Sequence, residues 1–202
     1  MKLFKVVSVV SLLFLAQSTS AAVISCEPDT FAVGTVLTNA CTGVELSVEQ
    51  RTDTTYSIIP AVTTATSTGD QVFGHGTDGY GWGASDANPE TLRGDFDNFV
   101  DFVSIDLISN DFSDGGFLRI YDSFDNLLDE VFSGTMSINT IFTASFSRLT
   151  ADIAYFRASG ISGDNLNLDN LQYSASVPTP ATVLLMGLGL AGVVATRRRK
   201  KA

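Results

Sequence analysis

From Val23 to Ser176 the chain alternates apolar and polar residues in short runs, and no stretch keeps the 3.6-residue period of an amphipathic helix. The clearest run is Phe99 to Ser109, where Val103, Ile105 and Leu107 share one face and Ser104, Asp106 and Ile108 the other. Ile138, Thr140, Phe142, Ala144 and Phe146 make a second face of period two. The same reading predicts strands over Phe31–Leu37, Val44–Val48, Tyr56–Val62, Phe117–Tyr121, Leu127–Phe132, Ile153–Ala158 and Leu166–Tyr173. Asp114-Gly115-Gly116, Asp125-Asn126, Ser133-Gly134 and Ser162-Gly163-Asp164-Asn165 separate them as turns. Evenly spaced short strands with such turns predict an all-β, antiparallel sandwich or barrel over residues 23–176. The chain's fourteen phenylalanines, twelve of them within this span, are enough to fill its core. Gly69 to Gly83 breaks the pattern with six glycines and reads as a long loop. Tyr80 and Trp82 in that loop either stack on a ligand such as a sugar ring or fold back over the sandwich edge.

Both ends follow a different logic. Lys2 and Lys5 precede an apolar run from Val6 to Ala16, and Ser20-Ala21-Ala22 offers small residues for a signal peptidase. Residues 1–22 therefore read as a secretory signal peptide, cleaved after Ala22. Cys26 stands too far beyond the apolar run for a lipoprotein lipid site. Export places the chain where disulfides persist, and the only two cysteines, Cys26 and Cys41, are expected to pair. At the other end Val177, Pro178, Thr179, Pro180 and Ala181 form an extended stretch, because each proline fixes its own φ. Thr182 to Thr196 is uncharged and apolar, and Arg197, Arg198, Arg199, Lys200 and Lys201 follow at once. That order predicts a short transmembrane helix whose basic end stays in the cytoplasm.

Charge sharpens the picture. The formal net charge is −10, but the two termini hold most of the cations. Arg51, Arg93, Arg119, Arg148 and Arg157 alone face all 22 acids, which excludes nucleic acid as a partner. Most of the acids are aspartates in turns, where aspartate is a natural residue. The sharper alternative is calcium, which takes several oxygen ligands at loop spacing. Asp95-Asp97-Asp101 and Asp164-Asn165-Asn167-Asp169 are the candidate clusters, with Asp164 and Asp169 as candidate ligands of a structural Ca²⁺. One histidine, His75, and no G-x-S-x-G, H-E-x-x-H or Walker signature argue against catalysis. A glycosidase needs only two carboxylates, and with so many acids no pair stands out.

The Pro-containing motif, apolar helix and arginine cluster at the C-terminus resemble the PEP-CTERM sorting signal of Gram-negative exported proteins, with Thr179 where that family usually has glutamate. The resemblance implies processing by an exosortase-like enzyme, passage through the inner membrane, and delivery to the cell surface or extracellular matrix in an exopolysaccharide or biofilm setting. Residues 92–173 are similar to a domain that recurs beside this signal. The similarity rests on Arg93-Gly94-Asp95-Phe96, Leu118-Arg119-Ile120-Tyr121-Asp122, Phe142–Phe146 and Leu168-Asp169-Asn170-Leu171-Gln172-Tyr173. It implies a jelly-roll-like β-sandwich related in shape to carbohydrate-binding modules. The expectation is a non-catalytic exported protein that associates with extracellular polysaccharide. The alternatives are a secreted polysaccharide-acting enzyme and a permanently anchored periplasmic domain.

Overall fold

The computed structural model describes residues 22–49, 56–76, 81–85, 88–161 and 164–175. Both terminal signals therefore lie outside the described residues, as do Tyr80 and the basic tail.

Among the described residues, thirteen strands form an antiparallel β-sandwich. They are β1 (Val23–Cys26), β2 (Val44–Glu49), β3 (Ile58–Val62), β4 (Gln71–His75), β5 (Trp82–Ser85), β6 (Asn88–Pro89) and β7 (Thr91–Val100). The remainder are β8 (Phe102–Ser109), β9 (Gly116–Tyr121), β10 (Leu127–Phe132), β11 (Ile141–Ser147), β12 (Ile153–Gly160) and β13 (Asn165–Ser174). One sheet runs β11-β8-β13-β4-β3, with β1 and β5 also pairing β13. The other runs β10-β9-β12-β7-β2. Leu46, Leu92, Leu118, Ile120 and Phe156 from the five-stranded sheet meet Ile105, Leu107, Leu166, Leu168 and Tyr173 from its partner. That apolar layer is the core, and its burial is the main force holding the two sheets together.

The expected Phe99–Ser109 strand is two strands in different sheets. The chain crosses over at Asp101, where the backbone N–H groups of Asp101 and Phe102 donate to Ser174 Oγ instead of to a ladder. Phe31–Leu37 is not a strand, because Gly34 turns the chain at φ 84° and Thr35 N–H closes a tight turn onto the Ala32 carbonyl. Gly69–Gly83 is not one long loop either. It contains β4, buried along its whole length between β13 and β3, and the start of β5. Its glycines hid a core strand.

Gly94 is required by a close approach. A Cβ there would lie 2.1 Å from the Phe156 ring, which faces it across β7 and β12 and is fully buried. Gly94→Ala should therefore cost about 1–3 kcal/mol by overpacking, read as a lower denaturation midpoint with an unchanged m-value.

Candidate binding face and cation site

Cys26 and Cys41 form a disulfide, with their Cα atoms 5.6 Å apart. It ties β1, the first strand, to the turn that leads into β2. Trp82 is a core residue and not a ligand platform. Its side chain is fully buried, its Nε1–H donates to the Phe73 carbonyl at 2.6 Å, and its ring meets His75 edge-on. The ring therefore presents no face to a ligand, and stacking at Trp82 is ruled out by burial. His75 is buried too, with Nε2 2.9 Å from the Glu90 carboxylate.

The outer face of the five-stranded sheet carries a row of paired charges. Arg93, Arg157 and Arg119 lie side by side on β7, β12 and β9, because register pairs Arg157 with each of the other two. Like charges in such a row repel across strands unless offset. Glu49 takes both Arg157 Nε and Nη2, Asp95 takes Arg93 Nε at 2.8 Å and Nη2 at 2.6 Å, and Glu130 takes Arg119 Nε at 3.1 Å. Three guanidinium groups thus meet three carboxylates, and the row is neutral as a whole. Beneath it the Tyr121 and Tyr155 rings stack at 4.6 Å and an angle of 5°. Arg93 lies 3.9 Å over the Tyr155 ring and Arg157 lies 4.8 Å over that of Tyr121. These cation–π contacts and forked pairs fix the guanidinium planes. The Asp95 hydrogen bond raises the Arg93 pKa. Burial opposes the charge on Arg157, but Glu49 and Tyr121 outweigh it and also raise that pKa. Burial, with Asp125 adding to it, pushes the Tyr155 phenol up to about 12, so it stays a donor at any ordinary pH.

The carboxylates expected to bind calcium are distributed differently. Asp95 is committed to Arg93, while Asp164 Oδ2 accepts the Gly115 N–H at 2.8 Å. Asp169 instead meets Glu27 and Asp29, and one carboxylate oxygen from each lies within 4.8 Å of the others. A β-bulge after Asp169, with Asn170 at φ 49°, interrupts the pairing of β13 with β8 at this point. Asp169 Oδ2 then accepts Ser67 N–H at 2.9 Å and Thr68 N–H at 3.0 Å from the segment that crosses the sheet. Thr68 Oγ1 donates to Glu27 Oε2 at 2.9 Å, and Asp29 Oδ1 accepts the Asp70 and Gln71 N–H groups. Burial raises the pKa of Asp169 against these hydrogen bonds. Burial likewise raises that of Glu27, with the charges of Asp169 and Asp29 adding to the effect. Its all-oxygen donors are those a hard divalent cation takes. Glu27 and Asp29 were not singled out from the sequence, because they lie some 140 residues from Asp169.

Residues 176–200 match the family model of the PEP-CTERM protein-sorting motif. The motif implies export and sorting at the membrane in Gram-negative bacteria. No curated protein matches the chain. Among solved structures, the enzymatically active domain of bacteriophage CBA120 tailspike protein 4 is similar over 66% of this chain and 19% of its own, with 10% identity and a TM-score of 0.38. A family 29 carbohydrate-binding module is similar over 65% of this chain and 88% of its own, with 11% identity and a TM-score of 0.31. The CBM22-1–GH10 modules of Clostridium thermocellum endo-1,4-β-D-xylanase 10B are similar over 77% and 26%, with 8% identity and a TM-score of 0.34.

Proposed function

We propose, from the premise that this chain carries a PEP-CTERM sorting motif and is exported, that it is a non-catalytic surface or matrix protein whose sandwich binds extracellular polysaccharide. The observation that carries this reading is the neutral row Arg93–Arg157–Arg119 with Glu49, Asp95 and Glu130 on one open sheet face. Planar groups with two donors or two acceptors at fixed spacing match the vicinal hydroxyls of a sugar, and the sheet holds them pre-oriented. Charge balance suits a neutral glycan better than a polyanion, since no guanidinium is left to attract a second charge. An exosortase-like enzyme processes the tail at the inner membrane. The Glu27–Asp29–Asp169 cluster takes a structural Ca²⁺ that ties the N-terminal segment, the Ser67–Thr68 crossing and β13 together.

The test is retention of the sandwich, residues 23–175, on neutral exopolysaccharide. Binding without new reducing ends supports the reading, and new ends support a hydrolase instead. Arg157→Ala removes the centre of the row and should weaken retention about tenfold, the equivalent of about 1.4 kcal/mol. Equal retention of this variant would move the site elsewhere.

A further inference from the structure

We propose that the end of the sandwich from which both termini emerge rests on the lipid bilayer during sorting, with Phe124 and Leu149 entering the interface. This inference relies on the reading that Thr182–Thr196 spans the inner membrane. Register pairs Val23 with Ser174, and Ala175 N–H donates to the Ala22 carbonyl at 2.6 Å. The signal-peptide junction and the start of the sorting motif are therefore neighbours at one point of the molecule. Around that point run the β7–β8 crossover, held by Ser174 Oγ, and the β11–β12 loop, where Arg148 N–H donates to the Asp101 carbonyl at 2.8 Å. The β9–β10 turn lies at the same end, because Tyr121 pairs with Tyr155 near the start of β12 and Tyr155 Oη–H donates to Asp125 at 3.1 Å.

These loops expose large apolar side chains. Leu149 is 105% exposed and Phe124 83%, and Val23 and Phe99 stand out beside the exit. Among the described residues nothing covers Leu149 and little covers Phe124, while Val23 and Phe99 are about half exposed. The connection to the membrane is also short. Residues 176–181 span at most about 22 Å in any conformation, at up to ~3.6 Å per residue. The headgroup layer takes roughly 5–8 Å of that on each side of the hydrocarbon. The domain consequently cannot leave the surface while Thr182–Thr196 is embedded, and the exit end is the part that faces it. Such a tether makes a weak apolar contact effectively intramolecular. Asp101, Asp122, Asp125 and Asp152 at this end, against Arg148, repel anionic lipid, so contact depends on the tether and strengthens as salt screens that repulsion. Docking on this end leaves the arginine face of the five-stranded sheet open.

The test uses the chain from residue 23 to 202 in vesicles of phosphatidylethanolamine and phosphatidylglycerol with brominated acyl chains. Tryptophan is placed singly by Phe124→Trp, Leu149→Trp and, on the β8–β9 connection at the opposite end, Phe112→Trp; native Trp82 is buried and supplies a constant background. Emission from positions 124 and 149 should shift to the blue and lose intensity to bromine, as for side chains about 5–10 Å into the interface. Emission from position 112 should not change. A chain that floats with the vesicles but shows no quenching at 124 and 149 overturns the docking and leaves the span standing. A chain that does not float overturns the span, and the docking with it.

Discussion

Trp82→Ala is expected to cost about 3–5 kcal/mol of stability, the range for removing a large aromatic from a close-packed core. The indole is fully buried among the core residues, and its Nε1–H is a hydrogen-bond donor to the Phe73 carbonyl. Truncation therefore opens a cavity and also removes a partner from a buried carbonyl of β4. For a domain of this size each kcal/mol lowers Tm by roughly 2–4 °C, so a drop of about 6–20 °C should appear in thermal unfolding. Trp82→Phe keeps most of the volume and loses only the donor, so it should cost about 1–2 kcal/mol. Polysaccharide retention by either variant should be unchanged below its melting temperature. A Trp82→Ala protein that melts like the parent but no longer binds would reverse the assignment and make this residue a ligand contact.

The sequence pattern made some features legible and hid others for physical reasons. β10 and most of β2, β9, β12 and β13 coincide with expected runs, because each has one face in the core and one toward solvent or a covering segment. β4 was obscured because Gln71-Val72-Phe73-Gly74-His75 is buried on both sides and so does not alternate. The Asp101 crossover was invisible because strand periodicity continues across it even as the chain changes sheets. The disulfide followed from export and a cysteine count of two. Arg93, Arg119 and Arg157 were visible as most of the few internal cations, yet nothing local showed that register would align them. Asp169 was a candidate ligand, whereas its companions Glu27 and Asp29 emerge only when the N-terminal segment folds against β13. Pairings between distant segments belong to topology, and short-range patterning carries no record of them.

Asp169 should control a large calcium effect that reverses this site's dependence on pH. Without a cation, Glu27 and Asp169 have folded pKa values raised above their ordinary 4.5 and 3.8. The folded state then holds protons more tightly than the unfolded chain. The contribution of these groups is fully present below the ordinary carboxylate range and is lost as pH rises through the raised folded values. In chelator, therefore, this site should favour folding less at pH 7 than at mildly acidic pH. Calcium replaces the protons as the neutralising charge and can bind only when the carboxylates are ionised, so its stabilisation should grow with pH over the same window. At a concentration of about 100 Kd, roughly 10–100 mM for a site of extracellular type, mass action adds about 2.7 kcal/mol. That is roughly 5–10 °C in Tm at pH 7. Asp169→Asn keeps an oxygen to accept the Ser67 and Thr68 N–H groups but removes the charge. It should melt at or above the parent in chelator and show no gain with calcium, while Asp164→Asn, away from the cluster, should retain the gain. Thermal unfolding with calcium and with chelator at two pH values decides the matter. A parent melting curve that calcium leaves in place at pH 7 removes the metal from this site and returns Asp169 to anchoring the Ser67–Thr68 backbone.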